Sequence, residues 1–158
     1  MIVDLPAVAD TEQLGAALAS GAPRSSADAL VVYLEGELGS GKTTLARGLL
    51  RRLGVTGTIR SPTYTLLESY ESQDWLVMHI DLYRLDGPQE LEPLGFRDQL
   101  SAGALLLVEW PERAAQALPP PDLRIALTFA KEGRAAELRA ASPAGSRWVA
   151  DAAEFFQK

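Results

Sequence analysis

Gly36-Glu37-Leu38-Gly39-Ser40-Gly41-Lys42-Thr43 follows directly on the apolar run Leu30-Val31-Val32-Tyr33-Leu34. The octet fits the pattern G-x-x-x-x-G-K-[ST], and its surroundings are those the pattern requires. A buried strand leads in, and a helix predicted from Thr43 to about Leu53 leads out. The glycines let successive backbone N–H groups turn inward around a phosphate. The start of the following helix adds unpaired N–H groups and the positive end of its dipole. Lys42 offers a mobile charge for the β- and γ-phosphates, and the Thr43 hydroxyl is a ligand for Mg²⁺. The plain alternative is a glycine-rich turn with a chance lysine. With strand, loop and helix in register, the segment implies a bound nucleoside triphosphate.

Outward from this loop, the pattern alternates between helical and extended segments. Upstream, Asp10-Thr11-Glu12-Gln13 with Leu14, Ala17 and Leu18 predicts an amphipathic helix capped at Asp10 or Thr11 and stopped by Ser20-Gly21. Gly21 to Asp28 reads as a loop. Downstream, strands are expected over Tyr64 to Tyr70 and Trp75 to Asp81, joined by a hairpin turn at Glu71-Ser72-Gln73-Asp74. Gly87-Pro88-Gln89-Glu90 opens a short helix. Ala104-Leu105-Leu106-Leu107-Val108 lacks polar alternation and predicts a strand buried on both faces. A short helix from Glu112 to Ala117 should end at Pro119-Pro120-Pro121. A second hairpin is expected from Leu123 to Ala141 around Lys131-Glu132-Gly133, then a closing helix from Ser146 to Phe156. The sum is an α/β fold of P-loop NTPase type, a three-layer sandwich whose mixed sheet has a parallel core and antiparallel additions.

The chain has 158 residues, 47% apolar and 23% charged, which suits one domain over residues 1–158 with a single core. It carries no cysteine, which excludes thiolate metal sites and cysteine catalysis. Met1-Ile2-Val3-Asp4-Leu5-Pro6 has no leader character, and no apolar run approaches the ~20 residues of a membrane span. A cytoplasmic location with no membrane partner is the expectation. The net charge of −6 argues against autonomous nucleic-acid binding, which needs a positive face to displace counterions. Arg47, Arg51 and Arg52 share one helix and read first as a solvated face. No asparagine is present, so the guanine-reading N-K-x-D motif is impossible, and no D-x-x-G switch segment occurs.

A phosphate loop needs a carboxylate to help hold Mg²⁺, and ligands gather beyond the carboxyl ends of the strands. Glu109 directly follows the strand ending at Val108, and Asp81 ends the strand from Trp75. Either acid could instead be a helix cap or a turn residue. Ser61-Pro62-Thr63-Tyr64-Thr65 could sense the γ-phosphate or could be a plain strand-entry turn. His79, the one histidine, shares a strand face with Asp81, so a hydrogen-bond pairing is open; a structural role is the more ordinary reading. Tyr83-Arg84 could bring a cation to phosphates, or Arg84 could form an ion pair.

Four segments then stand together: Gly36 to Leu45, Ser61-Pro62-Thr63-Tyr64-Thr65-Leu66, His79-Ile80-Asp81-Leu82-Tyr83-Arg84-Leu85, and Val108-Glu109-Trp110-Pro111-Glu112. In this order and spacing they closely resemble the TsaE (YjeE) family, bacterial ATPases required for threonylcarbamoyladenosine formation at position 37 of tRNA. The resemblance spans about residues 10 to 140. It implies a P-loop fold binding ATP and Mg²⁺, with slow hydrolysis that depends on the partner proteins TsaD and TsaB. Those partners transfer the threonylcarbamoyl group, and hydrolysis resets or regulates their complex. tRNA would be met only indirectly, through the complex.

Carried over by motif, Glu37, Leu38, Gly39, Ser40, Gly41 and Lys42 would hold the phosphates, with Thr44 beside them, and Thr43 and Glu109 would hold Mg²⁺. Asp81 would orient the attacking water. Lys42, Asp81 and Glu109 are thus the expected catalytic set. Ser61 to Thr65 and Glu109 to Glu112 would be switch loops, and Thr11 and Arg134 would lie near the nucleotide. The segment after about Ala141 carries no such signature. A small-molecule kinase passing the γ-phosphate to a hydroxyl or amine remains the alternative, although the chain leaves little room for a lid and acceptor-binding insert. A nucleotide-gated binding module is the third reading.

Overall fold

The computed structural model describes residues 1–24, 28–72 and 74–156. In chain order the elements are β1 (Ile2–Leu5), α1 (Val8–Gly21), β2 (Leu30–Glu35), α2 (Lys42–Arg52), β3 (Leu67–Glu71), β4 (Leu76–Asp81), β5 (Ala104–Glu109), β6 (Leu123–Phe129), β7 (Arg134–Ala140) and α3 (Pro143–Phe156). One sheet takes the order β1-β7-β6-β2-β5-β4-β3. Its centre, β6-β2-β5-β4, is parallel, while β7 and β3 run antiparallel to their neighbours. The two uniformly apolar runs become β2 and β5, paired side by side in the middle where both faces need cover.

Pleating splits those runs between two cores. Val32, Leu34, Leu105, Leu107 and Ile125 face the three α-helices, meeting Leu14 and Leu18 of α1, Leu45 and Leu49 of α2, and Trp148 of α3. Val31, Tyr33, Met78, Ile80, Leu106 and Val108 face the other way, under Leu91, Phe96, Ala114 and Leu118. That second covering layer is built from short 3₁₀ turns at Pro88–Glu90, Glu92–Leu94, Phe96–Gln99, Pro111–Arg113 and Ala115–Ala117. The layers are therefore three, but all α-helices lie on one face. The helix expected over Glu112 to Ala117 is two 3₁₀ turns instead, parted at Ala114, whose φ −152° and ψ 34° lie outside the helical region. Among the described residues no helix is long and apolar enough to cross a membrane.

Other boundaries shift for local reasons. α1 starts at Val8, before the expected caps, and the Asp10 carboxylate accepts the Ala7 N–H at 2.7 Å from the helix's first turn. β3 starts at Leu67 rather than Tyr64, since Leu66 at φ 63° closes a turn on the Pro62 carbonyl. α3 starts at Pro143, where the Ser142 hydroxyl accepts the Gly145 N–H at 3.0 Å. The hairpin turn read at Glu71 to Asp74 and the loop read at Gly21 to Asp28 lie partly outside the described residues, at 73 and at 25–27.

Two glycines bring α1 and α2 into backbone contact. A Cβ on Gly15 would sit 2.2 Å from the Leu45 carbonyl oxygen, and one on Gly48 would sit 2.1 Å from that of Glu12. Gly48→Ala therefore gains helix propensity, at most about 1 kcal/mol, and loses more by wedging the helices apart, about 1–3 kcal/mol. A thermal melt should show Tm lowered by several degrees, roughly 2–4 °C per kcal/mol for a chain of this size. An unchanged or raised Tm would mean that the two helices are not seated this closely.

Candidate functional site: a phosphate loop above two strand-end carboxylates

The loop between β2 and α2 uses glycine where no side chain fits. Gly36 takes φ 143°, and a Cβ there would meet the Leu127 carbonyl oxygen at 2.5 Å. Gly41, at φ 107°, is the N-cap of α2, which places Lys42 and Thr43 in the first turn. The Lys42 ammonium folds into the loop, donating to the carbonyls of Gly36 at 2.7 Å and Glu37 at 2.9 Å, with the Ser40 hydroxyl at 3.5 Å. It also lies 4.3 Å from the Trp110 ring centroid. Burial lowers its pKa, opposed by the negative charges of Glu109, Asp81 and Glu112.

Register brings the carboxylates together. β4 and β5 are parallel, and Asp81 pairs with Glu109 at their carboxyl ends, on the helix-facing side below the start of α2. Thr43 Oγ1 stands 3.2 Å from both Glu109 oxygens. Asp81 Oδ1 accepts the Tyr83 N–H at 2.9 Å. Burial raises the Asp81 pKa, the Tyr83 N–H partly counters this, and the Glu109 charge adds to it. Lys42, Asp81 and Glu109 are 4%, 6% and 2% exposed, so three formal charges share a nearly dry site.

These groups line a cleft of 360 Å³ shared with Leu38, Gly39, Gly41, Thr44, Ser61, Thr63, Tyr83, Arg84 and Trp110. Next to it, across Gly39, Gly41 and Thr44, lies a second hollow of 440 Å³ bounded by Pro6, Val8, Thr11 and Arg134. Arg134 donates to the Gly39 carbonyl at 3.1 Å and stacks 4.4 Å from the Phe129 ring centroid. Of the residues predicted from sequence, Thr11, Leu38, Gly39, Gly41, Lys42, Thr43, Thr44, Asp81, Glu109 and Arg134 all line one hollow or the other. Glu37 and Ser40 do not. Glu37 contributes its carbonyl, and Ser40 lies buried beneath the loop.

Three features escape a reading of the sequence. His79 pairs with Glu109 rather than Asp81, Nε2 to Oε2 at 2.7 Å, fully buried. Trp110, a non-glycine at positive φ, leans over Lys42 and stacks 5.0 Å from Tyr83; only the adjacent proline hints at an unusual backbone. Arg84 packs against the Tyr64 ring at 4.5 Å on the cleft rim, in place of the simple ion pair. The α2 arginines are occupied locally, Arg47 with Glu12, Arg51 with the Val55 carbonyl and Arg52 with the Ser20 hydroxyl.

Among the described residues no group of three or more His, Cys, Asp or Glu side chains could hold a metal alone. What converges is a sparse set of oxygens, the Thr43 hydroxyl with the Glu109 and Asp81 carboxylates. That set fits Mg²⁺, which prefers oxygen, keeps several waters and completes its shell with substrate phosphates.

The family model described as "Threonylcarbamoyl adenosine biosynthesis protein TsaE" matches residues 5–137. The chain belongs to the TsaE family. The Haemophilus influenzae "tRNA threonylcarbamoyladenosine biosynthesis protein TsaE" is 41% identical over 121 residues, 77% of this chain and 77% of that one. A Rickettsia felis protein of the same description is 38% identical over 105 residues, 66% of this chain and 61% of its own length. The crystal structure of Bacillus subtilis YdiB superposes with a TM-score of 0.73 over 98% of this chain and 93% of that chain, at 23% identity, which establishes the P-loop NTPase-like fold. The TsaE match stops within β7, ahead of α3. That helix is nonetheless locked in, since the buried Trp148 indole N–H donates to the Leu18 carbonyl of α1 at 2.7 Å.

Proposed function

We propose that this chain binds and hydrolyses ATP with Mg²⁺ in the cytoplasm, as an accessory protein in the formation of threonylcarbamoyladenosine on tRNA, acting on TsaD and TsaB. The observation that carries the reading is the convergence of Lys42, Thr43, Glu109 and Asp81 under one phosphate loop, in a chain of the TsaE family. The loop N–H groups and the Lys42 ammonium take the phosphates, and the hollow between Thr11 and Arg134 takes the nucleoside. Thr43 and Glu109 hold Mg²⁺, which when bound neutralises charge on the phosphate oxygens. Asp81 accepts a hydrogen bond from the attacking water, a role suited to a carboxylate whose proton affinity is raised by burial. The protein's contribution is positioning and preorganised charge rather than covalent chemistry.

The net charge of −6 fits a protein that meets tRNA through its partners. The deciding experiment measures phosphate release and modified tRNA together, with and without purified TsaD–TsaB. Hydrolysis should rise at least about tenfold when the partners are added, as for other P-loop enzymes completed in trans. Repeated rounds of modification should need this chain. Full modification in its absence, with hydrolysis unmoved by the partners, would defeat the proposal. A phosphorylated acceptor in place of free phosphate would establish the kinase reading instead.

A further inference from the structure

His79 is the buried polar group that the proposed chemistry does not use. It is fully enclosed on the helix-facing side of β4, with Leu107 of β5 and Glu68 of β3 as its register partners. The Glu68 carboxylate is engaged by the Thr65 hydroxyl at 3.1 Å. The His79 Nδ1 atom is buried and has no hydrogen-bond partner among the described residues. Nε2, by contrast, meets Glu109 Oε2 at 2.7 Å. A neutral ring has one N–H to give. Placed on Nε2, it serves the buried carboxylate and leaves only a lone pair unmatched on Nδ1, a smaller penalty than an orphaned N–H. An aliphatic side chain would fill this place without leaving any polar atom unmatched, as Val77 and Leu107 do nearby. Packing therefore does not account for a histidine here, and the bond to Glu109 does.

We infer that His79 is a positioning residue that fixes the Glu109 carboxylate for Mg²⁺. Without it, Thr43 Oγ1 is the one hydrogen-bond partner of the two carboxylate oxygens among the described residues, at 3.2 Å from each, and so does not select between them. The imidazole claims Oε2 from inside the core at 2.7 Å, which settles the carboxylate's rotation and distinguishes Oε2 from Oε1. Groups that orient a metal-binding carboxylate in this way are worth roughly 10–100-fold in metal affinity or activity. The inference rests on the ATP–Mg²⁺ reading of the site.

The test is a binding measurement on the purified full chain, without turnover. The Kd of a non-hydrolysable ATP analogue is determined by calorimetry in excess Mg²⁺ and in EDTA, and the ratio of the two is the gain due to the metal. His79→Leu should cut that gain about tenfold or more while leaving the EDTA value near wild type. His79→Gln, whose amide nitrogen can take the place of Nε2, should keep the gain within about threefold of wild type. His79→Asn, whose shorter amide mimics Nδ1 and cannot reach Glu109, should behave like His79→Leu and replaces it if thermal melting shows that the leucine protein does not fold. A wild-type gain retained without the Nε2 donor, or lost equally in His79→Gln, overturns the inference alone. A wild-type protein that binds nucleotide with no gain from Mg²⁺ overturns the reading of the site and this inference with it.

Discussion

Lys42→Ala is expected to reduce ATP turnover by at least about a hundredfold, roughly 2.7 kcal/mol of transition-state stabilisation. The ammonium is held in the loop by two carbonyls, at 2.7 and 2.9 Å, and is almost dry. Its charge is poorly screened there, so under the proposed reading it would act strongly on the charge that develops as the terminal phosphate leaves. Arginine should not rescue it, because a planar guanidinium cannot occupy the space of a compact ammonium on this tether. The fold should survive. Burial already disfavours the charged lysine, and its loss exchanges that cost for the lost attraction to Glu109 and Asp81. Steady-state phosphate release together with a thermal melt reads both effects. Turnover at the wild-type rate in a folded Lys42→Ala protein would remove the loop lysine from the chemistry.

Glu109→Gln is expected to lose about a hundredfold of Mg²⁺-dependent turnover, at the upper end for disturbing a metal's surroundings, and to remain folded. Glutamine keeps the shape and can still take the His79 N–H and approach Thr43, so what it removes is the charge. Glu109→Ala should do worse on a different axis. Being a strand-end group alone would make it dispensable to the fold. The structure shows instead that it satisfies buried His79, whose second nitrogen is already unpaired. Truncation orphans Nε2 as well, at about 1–3 kcal/mol. A Mg²⁺ titration of hydrolysis separates the two variants from wild type, and denaturant unfolding separates them from each other. Wild-type Mg²⁺ dependence in Glu109→Gln would strike this carboxylate from the metal site.

What the sequence made legible is what short-range chemistry dictates. The phosphate loop follows from glycine and lysine spacing, β2 and β5 from unbroken apolar runs, and the β6–β7 hairpin from a turn signal at Gly133. The hidden parts depend on partners far along the chain. β1 is only four residues long, and nothing marks it as a strand until β7 pairs with it. Strand alternation puts His79 and Asp81 on one face, but only the parallel register of β4 on β5 reveals Glu109 as the histidine's partner. In the second covering layer, the turn at Pro88–Glu90 and helical character near Glu112 to Ala117 were legible, whereas the turns at Glu92–Leu94 and Phe96–Gln99 were hidden, since 3₁₀ turns have too short a period for a hydrophobic pattern to declare them. Tyr64 and Thr65 carry strand propensity and are overruled by the turn that Leu66 closes.

The meeting of Gly15 and Gly48 has a mechanical consequence for the cleft. Backbone packed on backbone leaves no side chain to reshuffle at that crossing, so α1 and α2 should move as one stiff jaw, with Thr11 carried beside Gly41. The opposite jaw, Ser61 to Thr65, is tethered by the buried ring of Pro62, while Ser61, Tyr64 and Thr65 stand in solvent. Any nucleotide-dependent movement is thereby channelled to one side, toward β3 and the Tyr64–Arg84 rim, and a protein gripping that rim would feel the state of the phosphate without the helical half having to yield.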